Sequence, residues 1–137
     1  MVKRKIKYRV WIEYSKTMVT EANDVIMPYI HCDGSAFISY DLTDVTEDIT
    51  VLQYTGLQDS NGVEIYEGDI VKLSYDNSPV DPSFYAVQFR EGVFGINVPA
   101  EFRELRFYCS ESSQKWAVDR KVVVVGNIFE NKEIDYK

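Results

Sequence analysis

The chain contains 137 residues and carries a formal net charge of -7 at neutral pH. Its length predicts one domain that buries a core without help from a metal or a disulfide. The acidic balance argues against a general nucleic-acid binder, because such proteins usually present a positive field to phosphates. No apolar run approaches the ~20 residues of a membrane-spanning helix, so the sequence predicts no such helix.

The composition favours sheets over helices. Ten tyrosines and seven phenylalanines accompany many β-branched residues, and both types are enriched in strands. The basic start leads into an alternating pattern rather than into the apolar region of a signal peptide, and the two cysteines are too few for a disulfide framework. We therefore expect a cytoplasmic protein with reduced thiols.

The first predicted strand covers residues 5–14 and has two different faces. One face comprises Ile6, Tyr8, Val10, Ile12 and Tyr14, and the other comprises Lys5, Lys7, Arg9, Trp11 and Glu13. The stripe formed by Lys5, Lys7, Arg9 and Trp11 is suited to phosphate contact and base stacking. A solvated strand face explains the same residues and is favoured, because charges on exposed strands are routine.

Residues 25–42 predict a hairpin around a tight turn at residues 33–34. His31 and Cys32 lie beside this turn, but zinc needs about four ligands at recurrent spacings and a cysteine nucleophile needs a base with its own orienting partner. The acidic loop at residues 41–48 lacks the ligand spacing of an EF-hand. We therefore predict no metal, no cofactor and no catalytic residues.

The stretch from Val51 to Val71 has the most closely specified backbone. Residues 59–62, with the sequence Asp-Ser-Asn-Gly, predict a turn between two apolar runs. A Gly-Asp pair then precedes a predicted half-buried strand in which Val71, Leu73 and Tyr75 share one face. This order of loop, Gly-Asp pair and strand is similar to the divergent turn of small SH3-like barrels, which is an analogy of fold alone.

The second half of the chain predicts further strands. Phe84 to Arg90 and Val93 to Val98 alternate and predict a hairpin. Residues 99–109 fit a helix about as well as a strand, and a strand from Leu105 to Cys109 is favoured. Residues 121–129 form a nearly continuous apolar run, which predicts burial on both faces or a central place in the barrel.

Two motifs resemble the signature of the YopX family of small phage and prophage proteins. The first runs from Gln53 through Glu64-Ile65-Tyr66-Glu67-Gly68-Asp69 to Val71, and the second is V-V-G-N-I-F-E-N at residues 124–131. The residues of the structural signature are Tyr54, Thr55, Gly56, Asp59, Asn61, Gly62, Tyr66, Gly68, Asp69, Gly126 and Asn127. The resemblance implies a mostly β fold and a mobile-element origin. It carries over no catalytic or binding residues, because the family has no established biochemical activity.

We therefore predict a mainly β protein, with a small SH3-like barrel, additional N-terminal β-strands and little helix. Residues 1–137 form one domain, with N-terminal strands and a hairpin at 1–48, a barrel-like core at 49–131 and a tail at 132–137. The predicted function is noncatalytic protein binding or assembly, through an unknown protein partner or self-association and without a membrane. A nucleic-acid-associated role of the basic strand is the less favoured alternative, and an enzyme that uses Glu64, Glu67 or Asp69 ranks last.

Overall fold

The computed structural model describes residues 5–20, 29–30, 32–33, 35–37, 44–73, 84–90, 92–96, 105–107, 114–115, 117–118 and 121–136. The chain divides into two compact units, a smaller one at Lys7–Leu52 and a larger one at Met1–Ile6 and Gln53–Lys137. Within the described ranges, helical backbone is confined to the 3₁₀ turn Thr46–Asp48 and to residues 114–115 and 117–118, and none of this helix is long and apolar enough to cross a membrane. The prediction of a mainly β fold with little helix is confirmed, whereas its SH3-like detail stays a prediction.

The smaller unit contains two short hairpins. β1 (Tyr8–Ile12) and β2 (Thr17–Val19) pair antiparallel, with Val10 opposite Val19. β3 (Tyr29–Ile30) and β4 (Ala36–Phe37) form the predicted hairpin around residue 33, with Ile30 opposite Ala36. The 3₁₀ turn leads into β5 (Ile49–Gln58), which is the second neighbour of β1 and contributes its residues 49–52 to this unit.

The centre of β1 is buried on both of its faces. Val10 is fully buried and Trp11 is only 4% exposed, although neighbouring side chains of a strand point to opposite faces. Tyr14 is 86% exposed, and Ile6 is also exposed, because both lie beyond the ends of the strand. The predicted division of residues 5–14 into an apolar and a solvated face is therefore wrong.

The larger unit holds most of the strands. The remainder of β5 pairs antiparallel with β6 (Glu64–Tyr66). A second antiparallel sheet contains β7 (Asp69–Lys72), β8 (Phe84–Arg90), β9 (Val93–Ile96), β10 (Leu105–Phe107) and β11 (Val123–Asn127). Its order is β10-β9-β8-β7-β11, and it curls into a half-barrel. The predicted hairpin of β8 and β9 and the predicted strand at Leu105 are confirmed.

The core of the larger unit lies between these strands and the segment that leads into β11. Burial of this apolar area is the main favourable term in the stability of the unit. The buried members of the core are Leu57, Ile65, Val71, Leu73, Tyr85, Val87, Phe94, Ile96, Ala117 and Val122.

Two predictions about strand burial are wrong. Asp69, Ile70 and Val71 of β7 are all buried, and since successive side chains point to opposite faces, both faces of this strand are covered rather than one. β11 shows the reverse, since Val125 is 36% exposed and the strand stands at the end of the order. An uninterrupted apolar run therefore marks an outer strand here. Tyr75, the third residue of the predicted apolar face, lies outside the described residues.

Candidate functional site

The predicted basic stripe is only partly available to a partner. Lys5 is exposed, whereas Lys7 and Arg9 are half-buried. The Trp11 indole is buried, and its Nε1–H donates a hydrogen bond of 2.8 Å to Oε2 of Glu13. Base stacking needs an accessible ring face, so the indole is poorly placed for it, and nucleic-acid contact by this stripe stays a prediction. The exposed aromatic rings of this segment belong instead to Tyr8 (39%) and Tyr14 (86%), which the alternation had assigned to the apolar face.

The Asp59 carboxylate joins a turn to a distant strand. It is buried, and its Oδ1 accepts hydrogen bonds from the backbone N–H groups of Asn61 (2.8 Å) and Val63 (2.9 Å). Its Oδ2 accepts a hydrogen bond of 2.9 Å from the N–H of Val124 in β11. Buried carboxylates are stable where backbone donors surround them. Asp59 therefore closes the turn at residues 59–63 and fixes it to β11.

The side chains of Ser60 and Gln114 add further hydrogen bonds on either side of Asp59. The backbone N–H and the hydroxyl of Ser60 both donate to the carbonyl oxygen of Val122, at 2.8 and 3.0 Å. The Gln114 amide accepts from the N–H of Gln58 at 2.9 Å and donates to its carbonyl oxygen at 2.8 Å. We call the contacts made by Asp59, Ser60 and Gln114 the side-chain seam. The Asp59 contact covers part of the hydrogen-bonding edge of β11. Proteins commonly protect the outer edge of a sheet, because an open edge can pair with another chain.

The Thr-Gly pair of the first motif forms a bulge in β5. Three residues lie between Tyr54 and Gln58, whereas one lies between their partners Tyr66 and Glu64 on β6. The buried Thr55 hydroxyl donates to the carbonyl oxygen of Ile65 at 2.7 Å and accepts from the N–H of Leu57 at 3.2 Å. Gly56 adopts a φ of 89°, which a side chain would disfavour. Gly56 therefore provides the backbone conformation that the bulge needs, and the Thr55 hydroxyl binds backbone groups that the bulge leaves without strand partners.

The turn before β7 is held in a similar way. Oδ2 of the buried Asp69 accepts a hydrogen bond of 2.8 Å from the N–H of Tyr66. Gly68 has a φ of 83°, and its N–H donates to the carbonyl oxygen of Val87 at 2.8 Å. The Gly68 carbonyl oxygen accepts from the N–H of Ile128 at 2.9 Å. The turn thus binds both β8 and the segment that follows β11.

The second motif ends β11 with an asparagine network. Oδ1 of the buried Asn127 accepts from the N–H groups of Phe129 and Glu130, and Oδ1 of Asn131 accepts from the N–H of Asn127 at 3.0 Å. A Cβ at Gly126 would lie 2.7 Å from Cγ of Asn131, which is inside van der Waals contact. Glycine at position 126 therefore makes room for the Asn131 side chain.

The carboxylates considered for catalysis do not share one environment. Burial raises the pKa of the Glu67 carboxyl, and a hydrogen bond with the backbone of Gln53 partly offsets this rise. Oε2 of Glu64 accepts from the Tyr66 hydroxyl at 3.4 Å, and Asp69 accepts from the main chain. Among the described residues, no three His, Cys, Asp or Glu side chains are grouped so that they could hold a metal. His31 lies outside those residues, and Cys32 is exposed.

The smaller unit carries an open cleft of about 700 Å³ beside the 3₁₀ turn. Its lining includes the exposed Tyr14 ring and the carboxylates of Asp44, Glu47 and Asp48. Asp44 accepts hydrogen bonds from the hydroxyl and N–H of Thr46, and these bonds lower the pKa of its carboxyl. Asp48 accepts from the N–H of Tyr14 at 3.1 Å. The cleft is an acidic surface whose carboxylates also hold the local turns.

An exposed aromatic side chain stands at the outer end of β8. Phe89 is 51% exposed, and its ring packs against the buried ring of Phe94 on β9 with centroids 5.0 Å apart. Its neighbours Gln88 and Arg90 are also exposed. Aromatic and arginine side chains are enriched at protein interfaces. Nothing in the sequence distinguished Phe89 from the core residues of its strand, because it alternates in register with Tyr85 and Val87.

Comparison with known proteins agrees with this fold. The protein EF1440 from Enterococcus faecalis aligns with a TM-score of 0.64 and 22% identity, over 96% of this chain and 98% of its own. The yopX protein from Bacillus subtilis aligns with a TM-score of 0.63 and 20% identity, over 97% of this chain and 99% of its own. At these identities the likeness shows the fold alone, and no curated protein matched the chain. The family model described as YopX protein matches residues 7–134, and the chain therefore belongs to the YopX family.

Proposed function

We propose that this protein is a noncatalytic protein-binding or assembly module, encoded by a phage or prophage and acting in the cytoplasm of its bacterial host. The observation that carries the proposal is the exposed aromatic side chain of Phe89, which lies beside Arg90 on a strand that the core holds in place. A rigid aromatic group of this kind loses little conformational entropy when it binds a partner.

The engagement of the signature side chains supports a noncatalytic role. Asp59, Asp69 and Asn127 direct their oxygens to backbone N–H groups of the chain itself. A general acid or base must reach a substrate proton within hydrogen-bond distance, and breaking these bonds would leave buried backbone donors unsatisfied. The proposal accordingly includes no cofactor and no metal, and the partner is either another protein or a second copy of the chain.

The test is the molar mass in solution, measured by light scattering during size exclusion at two protein and two salt concentrations. An oligomer that is insensitive to salt and weakened by Phe89→Ser supports assembly through this surface. Val63→Ser is the matched control, because Val63 is an apolar residue that is 49% exposed and belongs to the turn at residues 59–63 rather than to β8. A strict monomer at every concentration that also captures no host or phage protein would overturn the proposal.

Association with nucleic acid through the basic strand is the second candidate function. It is supported by the exposed ammonium group of Lys5 and by the partly exposed ring of Tyr8. Its requirement is salt-sensitive binding to single strands that falls when Lys5, Lys7 and Arg9 are replaced by glutamine. Binding that is unchanged in this variant, or absent at low salt, would remove the candidate.

A further inference from the structure

We propose that Asn61 is a site of spontaneous deamidation whose rate is set by the turn at residues 59–63. Asn61-Gly62 is the only Asn-Gly pair in the sequence, and Asn61 is exposed. Asparagine is a thermolabile residue, and glycine after it leaves the reacting backbone nitrogen sterically open. Apart from the residues adjacent in the chain, no heavy atom lies within 4 Å of the position that a Cβ of Gly62 would occupy.

The reaction uses only this pair and water. The backbone nitrogen of Gly62 loses its proton to solvent and attacks Cγ of Asn61. A carbon–nitrogen bond forms, the bond from Cγ to the amide nitrogen breaks, and that nitrogen leaves as ammonia after gaining a proton. Water then opens the resulting cyclic imide at one of its two carbonyl carbons. The products are aspartate or isoaspartate at position 61.

The turn opposes the first step of this reaction. The N–H of Gly62 donates to the carbonyl oxygen of Asp59 at 3.0 Å, which holds the nitrogen in its protonated form. The Asp59 carboxylate lies close by, because it accepts the N–H of Asn61 at 2.8 Å and that of Val63 at 2.9 Å. A neighbouring negative charge disfavours the anionic nitrogen that must form. Deamidation therefore proceeds mainly when the turn has opened.

The product would weaken the contacts that slowed its formation. Aspartate at position 61 adds a second carboxylate to the turn that contains Asp59, and isoaspartate also adds a methylene to the backbone between the two donors that Asp59 binds. Like charges repel, and displaced donors lose their bonds. Because the other oxygen of Asp59 binds the N–H of Val124, the modification would loosen the attachment of this turn to β11.

The experiment incubates the full chain at mildly alkaline pH, folded and in urea, and follows each asparagine by peptide mapping with mass spectrometry. Asn61 is expected to react ahead of Asn127 and Asn131 in both conditions and several-fold more slowly in the folded chain. Equal rates at Asn61 in buffer and urea would overturn the role of the turn. If Asn61 reacts in the unfolded chain and never in the folded chain, Asn61 is not a deamidation site of the folded protein, and the proposal is overturned.

Two matched variants separate the local effect from general loss of stability. Asp59→Asn removes the charge beside Gly62, and it is expected to raise the Asn61 rate of the folded chain several-fold. Asp69→Asn removes a second buried carboxylate that binds Tyr66 in another turn, and it is expected to leave that rate near the wild-type value. Circular dichroism verifies that both variants are folded. Equal acceleration by the two variants would contradict the proposal.

Discussion

The larger unit joins its strands in two different ways. β7 and β8 pair through a regular register, with Ile70 opposite Ala86 and Val71 opposite Tyr85, and β8 continues in register with β9 over four pairs. The side-chain seam instead connects the turn at residues 59–63 to residues 122–124 through Asp59 and Ser60, while Gln114 binds the backbone of Gln58. Both regions lie in the same compact unit.

The difference concerns which atoms supply the hydrogen bonds. In a regular register the main chain supplies every donor and acceptor, so many side chains satisfy the same pairing. In the seam a particular carboxylate, hydroxyl or amide must be present, because its polar atoms take the place of a backbone donor or acceptor. Single substitutions should therefore cost more in the seam and its neighbouring turns than at exposed positions of regular strands.

The largest expected effect is that of Asp59→Ala. It removes the acceptor of three buried or partly buried backbone N–H groups, and the expected loss is about 3 to 5 kcal/mol in the free energy of unfolding. Urea denaturation monitored by circular dichroism measures this loss. Asp44→Ala is the control, because Asp44 accepts bonds from one residue in an exposed turn. Similar losses in the two variants would show that the seam has no special importance.

The next largest effect is expected for Gly126→Ala. The new Cβ would overlap the Asn131 side chain, and displacement of that side chain would break its bond to the N–H of Asn127. We expect a loss of about 1 to 3 kcal/mol, again from urea denaturation. Asn131→Ala alone and the double variant complete the cycle. The two changes should be less than additive, and full additivity would contradict steric overlap as the cause.

These two positions also show how far the sequence predicted the fold. The turn at residues 59–62 was predictable, because Asp, Ser, Asn and Gly each favour turns through local bonds or backbone freedom. The bond from Asp59 to Val124 was not, since the two residues are 65 positions apart and no local pattern links them. Gly126 lies in a recognised motif, but the reason that position 126 requires glycine is the Asn131 side chain. Only the folded backbone brings that side chain against Gly126.

Burial was harder to predict than strand position. The alternation of residues 5–14 placed the strand correctly and its faces wrongly, because Trp11 packs inside while Tyr14 lies on the connecting turn. Phe89 was similarly hidden among core residues of the same alternation. Periodicity indicates which side chains share a face, whereas the segments that pack onto a face in the folded chain decide how much of it is covered.

A smaller effect is expected for Thr55→Val at the β5 bulge. Valine keeps the branched shape but loses the hydroxyl that donates to Ile65 and accepts from Leu57. The expected loss is about 1 to 2 kcal/mol, because two buried backbone groups are left with fewer partners. Thr55→Ser retains the hydroxyl and should recover part of this loss. A valine variant as stable as the wild type would show that the bulge does not depend on a side chain.

The smallest effect is expected for Glu67. Its half-buried carboxylate destabilises the turn at residues 66–69, whereas Asp69 stabilises the same turn. Burial raises the pKa of Glu67 in the folded state above the ordinary value of 4.5. Between that value and the raised pKa, the folded chain binds more protons than the unfolded chain, so stability falls as pH rises through this window. Glu67→Gln removes the titrating group and should flatten this fall, while slightly stabilising the protein at neutral pH.

Urea midpoints over this pH range, for the wild type and for Glu67→Gln, provide the measurement. Glu67→Ala separates charge from packing, because alanine also removes the side-chain stem that glutamine keeps. If the glutamine variant retains the wild-type pH dependence, another group causes it, and the turn at residues 66–69 is then limited by its hydrogen bonds alone. If the fall disappears, one turn contains two carboxylates of opposite effect: Asp69 stabilises the fold and Glu67 destabilises it. The two differ in how far backbone N–H donors compensate for the burial of the charge.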